Sequence, residues 1–525
     1  NAGDVLDTAA NTDVITVSEG SAGSISAGTV AVTAVNGVVT YSGLVYTALA
    51  DGEAVTFTFT DDAAGTNNFN STPVNSNALT ADVVATKILV FTQPAAIVAG
   101  VSMTQPVIRY VNAGDLLDTV ARTDVVTVTE NGNGSVAGTV AVTATAGVAT
   151  YTNLIYTALA DGEAVTFTFT DDAAANPSNF NSAPVNSNAL TADVVATVIV
   201  FTTQPSASVS GVSLTQPVVT ARNAGGLTDT GFTEIITLTE ASAGSLANNT
   251  TSSVAGVATF ATLLYTATAD QESFTLTAND QDGVGTNLAT VDSNATVSDV
   301  VATKILVFTQ PAAIVAGVSM TQPVIRYVNA GDLLDTVART DVVTVTENGN
   351  GSVAGTVAVT ATAGVATYTN LIYTALADGE AVTFTFTDDA AANPSNFNSA
   401  PVNSNALTAD VVATKILVFT QPAAIVAGVS MTQPVIRYVN AGDLLDTVAR
   451  TDVVTVTENG NGSVAGTVAV TATAGVATYT NLIYTALADG EAVTFTFTDD
   501  AAANPSNFNS APVNSNALTA DVVAT

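Results

Sequence analysis

Cysteine, histidine and tryptophan are absent from this 525-residue chain, and lysine plus arginine number only 10. Without cysteine there is no disulfide, thiolate nucleophile, zinc–thiolate site or iron–sulfur cluster. Without histidine there is no imidazole acid or base, no His-containing triad and no His metal ligand. The 10 basic residues face 45 acidic ones, a formal net charge of -35. Phosphate backbones repel so acidic a chain, and no nucleic-acid partner is expected. Charged residues are still only 10% of the total and apolar ones 47%, which is not the composition of a disordered acidic tail. Long apolar runs are missing too: 95–101 is far short of the roughly 18 residues a membrane-spanning helix requires. The opening Asn1-Ala2-Gly3-Asp4 has neither the basic nor the apolar region of a signal peptide, as expected if one has been removed or if the chain is a fragment.

What is present is repetition. Lys87-Ile88-Leu89-Val90-Phe91-Thr92-Gln93-Pro94 recurs at 304–311 and 415–422. The segments 87–197, 304–414 and 415–525 are identical, and 198–303 is a diverged copy. Segment 1–86 matches from Asn112 onward, so it lacks the counterpart of the first quarter of a copy. The five segments are expected to be five modules, the first short of two strands. A period of about 100 residues is too long for a solenoid and suits a β-sandwich that buries its own core. The first copy has nine acids and no base, each identical copy nine acids and three bases, and the diverged copy nine acids and one base. Acidity spread so evenly reads as a solvated coat.

Within 87–197 the strand pattern is clear. In Val165-Thr166-Phe167-Thr168-Phe169-Thr170 the large apolar residues alternate with threonine, the period of a half-buried strand. Seven strands are predicted, over 88–93, 106–111, 124–130, 138–144, 148–156, 164–170 and 189–196. Turn signals separate them: Asn131-Gly132-Asn133-Gly134, Ala146-Gly147 (Asn36-Gly37 in the first copy) and Asp161-Gly162. The expected fold is all-β, a tandem array of immunoglobulin-like β-sandwich modules of about seven strands each. The first two strands are apolar on both faces. Val107 and Val111 are expected to point outward beside Arg109, covered either by the module's own loop or by another module or chain.

Leu89-Val90-Phe91-Thr92-Gln93-Pro94, Thr104-Gln105-Pro106-Val107, Gly138-Thr139-Val140 and Gly147-Val148-Ala149-Thr150-Tyr151 together resemble the tandem bacterial immunoglobulin-like repeats of large surface, adhesin or filament proteins. The resemblance spans essentially the whole chain. It implies an extracellular or cell-surface location and a stalk, fibre or adhesive role.

Candidate sites come from an up-and-down count of strands. The turn at 157–163 of one copy should face the loops at 112–123 and 171–188 of the next. Asp161 and Glu163 would then approach acids equivalent to Asp115, Asp118, Asp171 and Asp172. Asp118, Asp161, Glu163 and Asp171 are the residues from which an inter-module Ca²⁺ site would be built, since Ca²⁺ takes six to eight hard oxygens. The other reading is that these are ordinary turn acids capping backbone donors. Lys87 with the asparagines of 171–188 raises an amide crosslink, against a solvated linker lysine. Phe180 is either a contact residue or folds back on the core, and Asn133, Asn70 and Asn249 match the glycosylation pattern, by chance in a bacterial protein.

No enzyme is expected, since only Asp/Glu pairs remain and they recur on turns in every copy. The leading expectation is a structural rod or self-assembling filament on or outside a bacterial cell. Its partner would be itself, head to tail, laterally or by donating a strand to the short first module. The alternative is an adhesin stalk whose head and surface ligand lie outside the chain.

Overall fold

In the computed structural model, described for residues 3–8, 13–62, 71–119, 124–172, 180–280, 285, 287–336, 341–389, 397–447, 452–500 and 508–523, every regular element is a strand. Among these residues no helix is long and apolar enough to cross a membrane. The chain is all-β, a succession of immunoglobulin-like sandwiches.

The second copy shows the plan. Lys87–Thr92, Val107–Val111 and Val148–Thr150 form one sheet, with the middle strand paired to both neighbours. Ala141–Thr143, Val125–Glu130, Phe167–Asp171 and Val185–Asn186 form the facing sheet, in that order. All these pairings are antiparallel. Between the sheets lie Ile108, Tyr110, Val126, Tyr151, Tyr156, Phe167 and Phe169, all inaccessible to solvent. Threonines of the same strands alternate outward, as the period of two requires.

The expected strands over 138–144 and 189–196 are shorter, Ala141–Thr143 and Leu190–Ala192, and those over 148–156 and 164–170 are each split, the chain changing sheets partway along. Ser135–Ala137 pairs with Ile155–Thr157, whereas Ala141–Thr143 pairs with Val125–Thr127. Glu163–Val165 pairs with Leu190–Ala192, whereas Phe167–Asp171 pairs with the 125–130 strand. Strand-to-strand alternation cannot reveal such a switch, because both halves keep the same inward-outward pattern. Gly138 marks one of these bends: its φ is 91°, and a Cβ there would meet the Asn153 carbonyl oxygen at 1.8 Å.

Loop 93–106 closes the sandwich. It buries Ile97 and Met103, and Val98 bridges in parallel to Asp193. Ala146 and Gly147 both have positive φ, 48° and 72°, forming the two-residue hairpin turn that the dipeptide predicts. Tyr151 donates to the Val126 carbonyl at 2.8 Å, tying one sheet to the other.

Two side-chain expectations change. Val111 is not outward but 1% exposed, and its backbone bridges to Leu117 of the following loop. Phe91 is 53% exposed, and the Arg109 guanidinium lies over its ring at 3.2 Å. The outer apolar face of the first strand is thus capped by the copy's own arginine. Phe180 packs edge-on against Tyr110 at 5.9 Å and joins the core. Segment 173–179 and Asn70 lie outside the described residues.

Four hydrophobic clusters occur in series, running from Ala85 to Ala192, Ala196 to Leu288, Ala302 to Ala409 and Ala413 to Ala520. In 1–86 Val17 and Val55 are buried, but Tyr41, Tyr46, Phe57 and Phe59 are only half-buried. Val148–Thr150 is a strand because Val107–Arg109 pairs with it. Its counterpart in the first copy, 38–40, has no such neighbour and forms no strand.

Candidate functional site: the junction between copies

The copies are joined by Asp-Val-Val-Ala-Thr, at 82–86, 193–197, 299–303 and 410–414. This linker is extended, and its residues alternate inward and outward. Val194 is 0% exposed and Val195 46%. Extended backbone at a domain boundary has N–H groups to satisfy, and two carboxylates do so from opposite sides.

Asp161, at the turn that ends in Gly162, belongs to the copy before the linker. Its Oδ1 accepts the Val194 N–H at 2.7 Å. Its Oδ2 reaches into the next copy and accepts the Thr230 N–H at 2.9 Å and the Thr230 hydroxyl at 2.5 Å. Asp229, beside Thr230, returns the contact: its Oδ2 accepts the Ala196 N–H at 2.9 Å. One aspartate from each copy therefore grips the linker, and one of them also grips the neighbour.

The same clamp recurs at all four junctions. Asp51 takes Val83 and Thr119, while Asp118 takes Ala85. Asp270 takes Val300 and Thr336, while Asp335 takes Ala302. Asp378 takes Val411 and Thr447, while Asp446 takes Ala413. The diverged copy keeps its part in full, although much of its surface differs.

The electrostatics follow from these donors. Burial works against ionisation of Asp161, but the Thr230 hydroxyl and the Val194 and Thr230 amides outweigh it and hold the carboxyl below its usual value. Asp378 is lowered by the same balance. At Asp51 the Thr119 hydroxyl is the leading cause. Asp193 shifts the other way: burial, then the charges of Asp161 and Asp229, raise it.

Of the four positions singled out by sequence, two meet across a junction, Asp161 and Asp229, the equivalent of Asp118 in the next copy, which bond the Val194 and Ala196 amides of one linker; the positions of Glu163 and Asp171 do not join them. Asp161 and Asp118 are at junctions, on opposite sides of successive linkers. Glu163 turns inward to its own copy, where its Oε1 accepts the Tyr156 hydroxyl at 2.6 Å and the Gly134 N–H at 2.9 Å. Burial opposes ionisation of Glu163, yet the Tyr156 hydroxyl and the Leu159, Asn133 and Gly134 amides hold it at about 2. Burial and this same acceptor push Tyr156 up to about 12. Asp171 is 4% exposed and accepts the Tyr110 hydroxyl at 2.6 Å and the Ser182 N–H at 3.2 Å. Among the described residues, no three junction carboxylates bring oxygens within 4.8 Å of one another.

Lys87 pairs with Asp115 at 2.6 Å rather than with an asparagine. The diverged copy replaces both partners at once, with Val198 and Gly226. Thr119 was missed by sequence reasoning. Its signal was available: an Asp-Thr pair stands at this position in every copy, at 7–8, 118–119, 229–230, 335–336 and 446–447.

No protein-family model and no curated protein matches the chain. Solved structures do. The crystal structure of invasin, a bacterial integrin-binding protein, is 15% identical over 83% of this chain and 79% of its own, with a TM-score of 0.29. The human desmocollin-1 ectodomain is 9% identical over 97% of this chain and 93% of its own, with a TM-score of 0.28. The S-layer protein rSbsC(31-844) is 12% identical over 97% of this chain and 62% of its own, with a TM-score of 0.19.

Proposed function

We propose that the chain is a structural spacer outside a bacterial cell, a rod of five sandwich modules with the boundaries 1–86, 87–197, 198–303, 304–414 and 415–525. The observation that carries this reading is the clamp, built four times from the same residue types. Free-jointed modules would have no use for an aspartate that bonds the linker and the next module together. The buried linker valines, Val83, Val194, Val300 and Val411, support it further, since each adds apolar burial at a joint. The acidic coat keeps neighbouring rods apart and in solution.

Small-angle scattering of the purified chain tests this reading. An extended particle with restricted bending is expected, shortening on average when Asp161, Asp270 and Asp378 are all changed to Ala. An ensemble of freely jointed beads in the unaltered protein would overturn it. The clamp as drawn needs no metal, so a chelator should leave the extension unchanged. Shortening on chelation would instead favour calcium bridging by the acids at 118, 161, 163 and 171. Sedimentation separates a single rod from a laterally assembled filament.

A further inference from the structure

We propose that the joints at 193–197, 299–303 and 410–414 carry a second feature, a notch that docks a basic amphipathic segment of a partner protein, with apolar side chains in the notch and a lysine or arginine against the linker aspartate at its rim. Val194 faces inward at the clamp, and the notch lies on the outward side of the same linker. At 193–197 it encloses about 600 Å³ between Val101 and Leu159 of one copy, Val195 of the linker and Leu227 of the next copy. Ligand pockets run from about 300 to 1,000 Å³. At 299–303 the notch encloses about 730 Å³ and is walled by Val212, Val301 and Leu333. At 410–414 the same positions hold Val318, Leu376 and Val412, all exposed.

The outward valine adds nothing to the clamp, whose bonds go to the backbone of Val194 and Ala196. In the strands Val125–Glu130 and Phe167–Asp171 threonine takes the outward positions. In every linker this outward position is valine instead, at 84, 195, 301 and 412. The diverged copy has Thr268 where the second has Leu159, but it holds both Val212 and Val301. Apolar side chains gathered on a polar surface mark an interaction site. Charge gathers at the same place. Asp193 stands two residues before Val195 on the same outward face, exposed, and among the described residues no lysine or arginine pairs with it. Burial, then the charges of Asp161 and Asp229, raise its carboxyl. Asp299, beside Val301, is raised by burial and by Asp270 and Asp335 in the same way.

Charge chooses the occupant. An apolar notch with an uncompensated negative rim is complementary to a segment that presents apolar and basic residues together. The chain's own cations are engaged elsewhere. Lys87, Lys304 and Lys415 are paired with Asp115, Asp332 and Asp443. Arg109, Arg326 and Arg437 lie over the rings of Phe91, Phe308 and Phe419. A second copy of the chain would bring 45 acids and only 10 bases to a surface of the same sign, which opposes a rod-to-rod contact here.

Fluorescence anisotropy tests the proposal, with the 525-residue chain titrated into a labelled synthetic amphipathic peptide of leucine and lysine. Saturable binding is expected. Polylysine of the same length should bind at least about tenfold more weakly, and the peptide with glutamate for every lysine should not bind. Changing Val195, Val301 and Val412 together to Ser, at exposed positions, should weaken binding at least about tenfold with the circular dichroism unaltered. Changing Asp193, Asp299 and Asp410 together to Asn should weaken it as much and flatten its dependence on salt. Equal affinity for polylysine, unaltered affinity in either triple variant, or no binding would each overturn the proposal. Self-association of the unaltered chain that the valine variant abolishes would overturn it in favour of a second copy as the occupant.

Discussion

The fourth and fifth copies, 304–414 and 415–525, have the same sequence, and only the fourth is followed by another copy in the structure. Their cores are the same: Tyr373 and Tyr484, and Phe386 and Phe497, are all 0% exposed. Their far ends are not. Val411 is 0% exposed and its twin Val522 is 41%. Asp378 holds Val411 at 2.8 Å and Thr447 beyond it, while Asp489 reaches Val522 at 3.2 Å. A neighbour therefore changes one turn and one linker and leaves the sandwich untouched. Folding belongs to the copy, and stiffness belongs to the pair.

The largest effect should ignore the comparison. Phe386→Ala and Phe497→Ala each empty an inaccessible site and should cost about 3–5 kcal/mol. Calorimetry should show equal losses in the two copies, with the remaining transitions unmoved. Unequal losses would mean that the cores are coupled after all.

Val411→Ala should break the symmetry. It removes two buried carbons at a joint and should cost about 2 kcal/mol, whereas Val522→Ala should cost less than about 0.5 kcal/mol. Chemical denaturation of the paired variants provides the test. Similar costs would show that the linker valine serves its own copy and not the joint.

Acid should loosen joints before it unfolds copies. The carboxyls of Asp51, Asp161, Asp270 and Asp378 are lowered in the folded chain. Their contribution is complete above the unfolded value, near 3.9, and is lost as pH falls through the lower folded value. Asp193 and Asp299 are raised, so protonating them as pH falls relieves repulsion and partly offsets that loss. Joint stiffness followed by scattering should be flat from pH 8 to about 5 and fall below about 4. The Glu163–Tyr156 bond inside the copy, with Glu163 at about 2, should outlast it.

The smallest effect should come from the surface ion pair. Lys415 and Asp443 are 2.6 Å apart with side chains 44% and 58% exposed. Lys415→Ala should cost less than about 0.5 kcal/mol. The diverged copy has already made the corresponding exchange, with Val198 and Gly226.

Much of the fold was legible because alternating valine, phenylalanine and threonine state which face is inside. The first three strands of a copy lie close to where that pattern places them. The sheet switches at Gly138 and beyond Val165 were not legible, since a strand that changes partners keeps its alternation. The joint was legible only in part. Counting strands placed Asp161 opposite the following copy, but side-chain direction is not a property of spacing. Glu163, two residues on, faces inward to Tyr156. Asp171 is occupied by Tyr110, 61 residues away, which no local pattern could pair with it. The Asp-Thr dipeptide was visible in every copy, yet its meaning depends on an amide in a linker that read as strand.

The parallel bridge between Val98 and Asp193 has a mechanical consequence. The Ala99 amide bonds the Asp193 carbonyl and the Asp193 amide bonds the Ile97 carbonyl, both at 2.9 Å. One of these segments lies near the entrance of a copy and the other at its exit. Tension along the array draws them in opposite directions along their own length, so the two bonds are loaded together in shear and not peeled in turn. Rupture under load is governed by the barrier to unfolding rather than by equilibrium stability. The identical copies should yield at a common force, which the sawtooth of a single-molecule pulling trace records, each protecting its neighbours until it gives way.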